Sequence, residues 1–398
     1  MGSLELTIEK LVYGGEGLAR LDGEVIFTPF VLPGERIEAG RIPGKKGASR
    51  ARLVGVREAS ADRADPPCPV FTQCGGCQYQ HIEYSTQLRL KRDILSETLR
   101  RVGGVEFPVS AIGMEAGEPW GYRNRVQFHF ENGHVGYHAM GSHRLVDTDV
   151  CPIGSPKINE ALRKLRAMIA DRCWPQFLRS LELFTDEERL QWNVLESDRP
   201  VARHFFEWLE QHMPGGIGAL DYQVGGDSFQ VSGNSFFQVN RYLLPKLADL
   251  VLGDAHGSTA WDLYSGVGLF SLALARRFER VVAIESGRTA IQDLKVNAAR
   301  GGVELQAIER HTDAFLRDAN AAPDFVVADP PREGFGTAAV ARLLELSPET
   351  LVIVACDPAT LARDLKALLA IYDVDRMTLV DLFPQTFHLE TIVRLRRK

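Results

Sequence analysis

No apolar run in these 398 residues is long enough to cross a bilayer, and the N-terminus, MGSLELTIEK, lacks the basic, apolar and small-residue succession of a secretory leader. A cytoplasmic protein with no membrane partner is expected. Cysteine is scarce at six, too few for the stapled scaffold of a small secreted domain. Net basic charge is also missing: the formal charge is -6, which excludes a generally basic nucleic-acid binder but leaves room for local patches that contact phosphates. What is present is an ordinary globular composition, 45% hydrophobic and 25% charged, in a chain long enough for two or three domains.

The few cysteines are not scattered. Cys68, Cys74 and Cys77 stand at C-x5-C-x2-C with Gly-Gly between the last two, a spacing that suggests a metal rather than free thiols. Two fourth ligands are open: His81 would complete a Cys3His zinc site, and Cys151, in VCPIG, would complete four thiolates suited to zinc or an iron-sulfur cluster. Cys173 has no partner nearby and reads as structural. Before this group, residues 1 to 58 run in short alternating stretches separated by Gly-Gly, Asp-Gly and Pro-Gly, the pattern of a small β-barrel. Arg41, Lys45, Lys46, Arg50, Arg52 and Arg57 carry no acid among them, which suits phosphates or equally a charge-guarded edge strand.

The middle of the chain alternates helical and strand patterns. In YSTQLRLKRDILSETLRR, Leu88, Ile94, Leu95 and Leu99 recur at helical spacing, and Arg89, Lys91, Arg92, Arg100 and Arg101 read by default as a solvated face. In YRNRVQFHFENGHVGYHA, Asn132-Gly133 is a two-residue hairpin signal. Its Tyr122-Arg123-Asn124-Arg125 could stack bases and pair phosphates, or make plain salt bridges.

Beyond about Asn234, apolar strands alternate with helices, as in an open parallel sheet. The strand Ala260-Trp261-Asp262-Leu263 enters Tyr264-Ser265-Gly266-Val267-Gly268, and the next strand ends at Glu285, where an acid can accept both ribose hydroxyls of a nucleoside. The third glycine of a dinucleotide fingerprint is absent, so S-adenosylmethionine fits better than NAD. Asp313, after the third strand, is either an adenine contact or an ordinary turn acid. The fourth strand ends in Asp329-Pro330-Pro331-Arg332, where two prolines aim the carboxylate. The fifth strand, LVIVA, delivers Cys356 to the same edge, outside the carboxyl ends of the strands, where open α/β sheets bind ligands. There a thiolate can add to carbon 6 of a uracil and make carbon 5 nucleophilic, provided that a base then removes the carbon 5 proton. His388 and Glu390 are the nearby candidates.

These residues carry a resemblance. Over nearly its whole length the chain resembles the RNA (uracil-5-)-methyltransferases, in particular the bacterial 23S ribosomal RNA type with an N-terminal TRAM domain and a [4Fe-4S] cluster. The matching pieces are CPVFTQCGGCQYQ, NSFFQVN, DLYSGVGLFSLALA, DFVVADPPREG, ACDPATLARDL and FHLETIVRL, and VYGGEG followed by GER resembles the TRAM barrel. The resemblance implies cluster ligands Cys68, Cys74, Cys77 and Cys151, with His81 set aside. It implies cofactor contacts from Gln238, Tyr264, Glu285, Asp329 and, through a looser motif, Asp313. It also implies Cys356 as nucleophile, Glu390 as base, and RNA as partner, ribosomal before transfer, with no obligate protein partner. The expected architecture is multidomain. A TRAM-like or OB-like barrel over 1–58 precedes a central α+β iron-sulfur region over 59–232 and a Rossmann-like methyltransferase domain over 233–398.

Some positions depart from the family: Ala355-Cys356-Asp357-Pro358 replaces a frequent Ser-Cys-Asn-Pro, Ser265-Gly266 a frequent Cys-Gly, and Leu269 a frequent asparagine. Asp357 beside the thiol would raise its pKa if it points inward. A radical methylthiotransferase would need C-x3-C-x2-C. A base amino-methyltransferase would leave Cys356 idle, and a degenerate RNA-binding protein would have lost Cys356 or Glu390.

Overall fold

The computed structural model describes residues 3–42 and 49–398. Its N-terminal strands, Ser3–Thr7, Lys10–Leu11, Glu16–Leu21, Glu24–Pro29, Arg36–Ile42 and Ser49–Glu58, form one six-stranded sheet in the spatial order first, fifth, sixth, fourth, third, second. The sheet curls so that the first strand also packs on the third, and Leu6, Ile8, Ala19, Ile26, Ile37 and Ala51 fill its small interior. The basic run on this sheet is not a free face. Arg41 donates to both carboxylate oxygens of Glu24 at 2.9 and 2.8 Å, Arg50 to both of Glu16 at 3.0 and 3.2 Å, and Arg57 pairs with Glu38. The acids are remote in sequence and come near only in the fold, from the adjacent strand for Arg57 and from the strand beyond it for Arg41 and Arg50, and such exposed pairs add little to stability. Arg52 makes no ion pair among the described residues, and Lys45 and Lys46 lie outside them.

A second six-stranded sheet is built on the strands Arg125–Glu131, His134–His138, Leu178–Thr185 and Leu190–Ser197, with the helix Pro156–Met168 packed across it. Asn132 and Gly133 turn its hairpin with φ of +50° and +77°, the left-handed pair that such a turn needs. Not all of 59–232 belongs here. The helix Tyr84–Thr98 sends Ile94 and Leu95 into the core of the C-terminal sheet, and the strand Ile112–Glu115 pairs in parallel with Tyr372–Val380 at that sheet's edge.

The C-terminal sheet has eight strands in the spatial order Gln306–Glu309, Phe278–Glu285, Gly257–Leu263, Phe325–Ala328, Thr350–Ala355, Glu390–Arg397, Tyr372–Val380, Ile112–Glu115. All run parallel except Glu390–Arg397. Helices cover both faces, so Phe325–Ala328 and Leu351–Ala355 are buried throughout, as their unbroken apolar sequences require. The strand order reverses between Gly257–Leu263 and Phe325–Ala328. The crevice above the carboxyl ends at that switch is where such sheets take their ligands.

Candidate active site

Register brings the sequence-predicted residues together. Parallel pairing aligns Leu263 with Ile284 and with Ala328, so Tyr264, Glu285 and Asp329, each one residue further, leave the sheet side by side. On the other flank Ala355 lies opposite Thr391 in an antiparallel pair, so the next residues outward, Cys356 and Glu390, face each other at the strand ends. Directly opposite residues of such a pair point to the same face. The single reversed strand is therefore what sets the carboxyl beside the thiol.

The group is electrostatically tight. Burial first, and then the carboxyls of Glu390 and Asp329, push the half-buried Cys356 thiol up to about 12, while the Arg332 guanidinium opposes them. Burial and the neighbouring Asp329 hold Glu390 well above the usual carboxylate range, and burial raises Asp329 as well. His388, by contrast, is pushed down to about 4, first by burial and then by Arg332, and its ring lies 4.3 Å from that of Phe387 between centroids, tilted by 39°. Asp357 is turned away from the thiol: its Oδ1 accepts from the N–H groups of Ala359 and Thr360, both at 2.9 Å, capping the helix Pro358–Leu368. The carboxylates that oppose the thiolate come from other strands.

On the cofactor side, Tyr264, Gly266 and Gly268 all have positive φ, at +67°, +54° and +98°. Tyr264 carries this conformation without glycine's freedom, a strain typical of ligand-binding turns. Glu285 Oε2 accepts from Gly266 N–H at 2.9 Å and its Oε1 from Gly287 N–H at 2.6 Å, which fixes the carboxylate against the glycine loop. Gln238 Nε2 reaches Asp329 Oδ2 at 3.5 Å, and Asp313 sits exposed in the first turn of the helix Thr312–Asp318, near the Tyr264 hydroxyl. Two supporting residues had no sequence signal beyond their helical i, i+4 spacing. Asp293 accepts from Ser232 and Ser235, and Asn297 donates to Val267 O at 2.9 Å while accepting from Gln230 N–H, so one helix holds both the glycine loop and the approach to Gln238. Asp262 is fully buried, raised to about 7 by desolvation, and hydrogen-bonded through Oδ2 to Ser271; its Oδ1 and the nearby Ser265 Oγ have no partner.

Cys68, Cys74, Cys77 and Cys151 line one cavity of about 240 Å³, together with Val70, Phe71 and Tyr137. Gly75 makes the wrapping possible, since a Cβ there would meet the backbone at Met140 Cα and His138 O, 3.2 and 3.3 Å away. Cys151 is held by Asn159, which accepts from its N–H at 2.8 Å and donates to its carbonyl at 2.9 Å. His81 does not line this cavity; it is buried near Val31 O at 3.4 Å and packs against Phe30 and Phe71. Among the described residues no set of three or more His, Cys, Asp or Glu side chains is drawn tight enough to hold a single metal ion. Cys173, expected to be structural, is exposed.

The segment Asp381–His388, leading to Glu390, is clamped from three sides. Gln385 O accepts from the N–H groups of Gln78 and Tyr79, directly after Cys77; Gln385 also exchanges hydrogen bonds with Gln87, and Pro384 O accepts from Tyr122. Lys91, expected on a solvated face, is 0% exposed and donates to Asp381 Oδ1 at 2.6 Å and to Phe383 O at 3.1 Å. Its partner lies 290 residues away, which no local periodicity reveals.

An open parallel sheet with a glycine loop after its first strand, an acid ending the second and Asp-Pro-Pro ending the fourth defines an S-adenosylmethionine-dependent methyltransferase. Comparison with known proteins narrows the class. A family model described as tRNA (uracil-5-)-methyltransferase matches residues 221–398. A protein of Aquifex aeolicus described as an uncharacterized RNA methyltransferase is 33% identical over 429 aligned positions, covering 99% of each chain. A relative from Listeria innocua with the same description is 31% identical over 447, covering 100% of this chain and 98% of its own. The crystal structure of Pyrococcus abyssi tRNA (uracil-54, C5)-methyltransferase with S-adenosyl-L-homocysteine superposes with a TM-score of 0.76 at 25% identity, covering 98% of this chain and all of that one. The chain belongs to the family of S-adenosylmethionine-dependent RNA (uracil-5-)-methyltransferases.

Proposed function

We propose that the protein methylates carbon 5 of a uridine in 23S ribosomal RNA through a covalent adduct between Cys356 and carbon 6, with Glu390 as the base. The observation that carries this reading is the pairing of Cys356 with Glu390 across two strand ends, beside Asp329 and the glycine loop. The cycle starts with both carboxylates ionised: as the Cys356 sulfur bonds to carbon 6, the carbon 5–carbon 6 π pair moves to the carbonyl and the thiol proton passes to Asp329, leaving Glu390 free for the later proton. S-adenosylmethionine supplies the methyl group, taken up by carbon 5. Glu390 then accepts the carbon 5 proton, the double bond reforms, and the sulfur leaves and takes one proton back, so that the cycle releases one proton net. Burial raises the proton affinity of both carboxyls, which suits them to accept protons from weak acids.

Glu285 is suited to the ribose hydroxyls, Tyr264 and Asp313 to the adenine side, and Gln238 and Asp329 to the methionine side. The unpartnered Asp262 Oδ1 and Ser265 Oγ are acceptors in search of donors beneath the loop. Phe236, 65% exposed just before Gln238, offers a face on which an RNA base can stack. The target must be unstacked to reach Cys356, at a cost of a few kcal/mol.

Cys68, Cys74, Cys77 and Cys151 would hold a [4Fe-4S] cluster. The donor set fits: four cysteine sulfurs, soft ligands suited to iron, line one cavity, and the buried Tyr137 hydroxyl lies against Cys151. Such a group supplies four bonds that tie the two segments together. The curled N-terminal sheet is read as a TRAM-type RNA-binding barrel, with the cytoplasm as the location and 1–58, 59–232 and 233–398 as the domain division, save that Tyr84–Thr98 and Ile112–Glu115 pack with the C-terminal sheet.

A transfer RNA substrate is the second reading, favoured by the printed substrate of the Pyrococcus structure. Mapping 5-methyluridine in ribosomal and transfer RNA of a deletion strain separates the two. The chemistry is tested with 5-fluorouridine RNA, whose carbon 5 has no proton to lose. The wild-type chain should trap a covalent adduct that is absent in Cys356→Ala, and an adduct persisting in that variant would exclude Cys356 as nucleophile.

A further inference from the structure

The N-terminal sheet does more than sit beside the catalytic domain. Its turn Val12–Glu16 enters the catalytic edge: the Tyr13 hydroxyl donates to the backbone carbonyl of Cys356 at 3.3 Å, 343 residues away. The Tyr13 ring meets Phe387 edge-on, with centroids 5.5 Å apart and planes at 85°. Gly15 at the same turn has φ of +86° and approaches so closely that a Cβ would lie 3.0 Å from Gln78 Cβ and 3.5 Å from Phe387 Cβ. One tyrosine thus touches the peptide that carries the thiol and the segment that leads to Glu390.

We infer that Tyr13 is a positioning residue for the nucleophile, making the N-terminal barrel a component of the catalytic centre and not only a surface for RNA. The inference rests on the proposed covalent mechanism. The carbonyl that Tyr13 holds belongs to the last residue before the helix-capping Asp357, where the chain turns from strand into helix and the thiol's direction is decided. Burial of the phenol, then the nearby Asp357 carboxylate, keep it protonated and able to donate; Arg332 and Cys356 also face it. Phe387 meets the ring edge-on while the hydroxyl reaches the carbonyl, so hydroxyl and ring have separate duties.

The test is single-turnover adduct formation on 5-fluorouridine-substituted 23S ribosomal and transfer RNA transcripts over a range of RNA concentrations. In Tyr13→Phe, which keeps the ring, the saturating rate should fall about 2- to 10-fold, the worth of one hydrogen bond, with half-saturating RNA and melting temperature unchanged. Tyr13→Leu, which also releases Phe387, should lose more in the same saturating rate. An unchanged rate in Tyr13→Phe overturns the inference, as does a loss appearing only as weaker half-saturation, which would make the barrel purely an RNA-binding device. A wild-type chain that forms no adduct overturns the covalent mechanism and this inference with it.

Discussion

Replacing Glu390 by glutamine is the most informative single change, because the side chain keeps its shape while one atom set loses two roles. Glu390 is 5% exposed at the start of its strand, opposite Cys356, so glutamine should be accommodated without moving the backbone. With the base removed, the carbon 5 proton has no acceptor after methyl transfer, and product release should slow by about 100- to 10,000-fold, the usual worth of a positioned general base. Ordinary uridine RNA should then accumulate as a methylated, protein-linked intermediate, read by a gel shift stable to denaturation and by mass.

The second effect is on the thiol. Burial first, and then the carboxyls of Glu390 and Asp329, push it up to about 12. A negative neighbour disfavours a thiolate, so removing Glu390 must lower the thiol's pKa, and Cys356 alkylation by iodoacetamide should rise at lower pH than in the wild type. Turnover at the wild-type rate would refute Glu390 as base. An alkylation profile that does not move, or moves upward, would refute the charge geometry.

Two further changes probe the support of the site. Lys91→Met leaves Asp381 buried with only the Tyr84 hydroxyl, at 2.9 Å, and should cost about 3–5 kcal/mol in urea unfolding, while Lys91→Met with Asp381→Leu should recover much of it; a single variant as stable as wild type would contradict the buried pair. Cys151→Ser should abolish iron binding and the thiolate-to-iron absorption of protein purified without oxygen, whereas His81→Ala should retain both; the reverse pattern would exchange the fourth ligand.

The short N-terminal strands, the parallel sheet and the strand-end positions of Cys356 and Asp329 were legible from alternation, apolar runs and proline placement, because these patterns are local. The choice between a phosphate-facing run and a charge-guarded edge was not, since the acids that pair with Arg41, Arg50 and Arg57 come near only when the sheet forms. Burial of Lys91 escaped for the same reason: helical periodicity counts a charged residue as solvated unless its partner is known. Asp357 was left unsigned by sequence and is signed by its capping hydrogen bonds, which keep its charge off the thiol.

The sequence by itself determined the sheet's strands, the glycine loop, the thiol at a strand end and the cysteine spacing, since each depends on residues within a few positions of one another. Only the tertiary structure decided that Glu390 faces Cys356, that Cys151 and not His81 lines the cavity with Cys68, Cys74 and Cys77, and that Tyr13 reaches the nucleophile. Those choices depend on register between distant strands and on which surfaces pack together, and no local pattern in the chain encodes either.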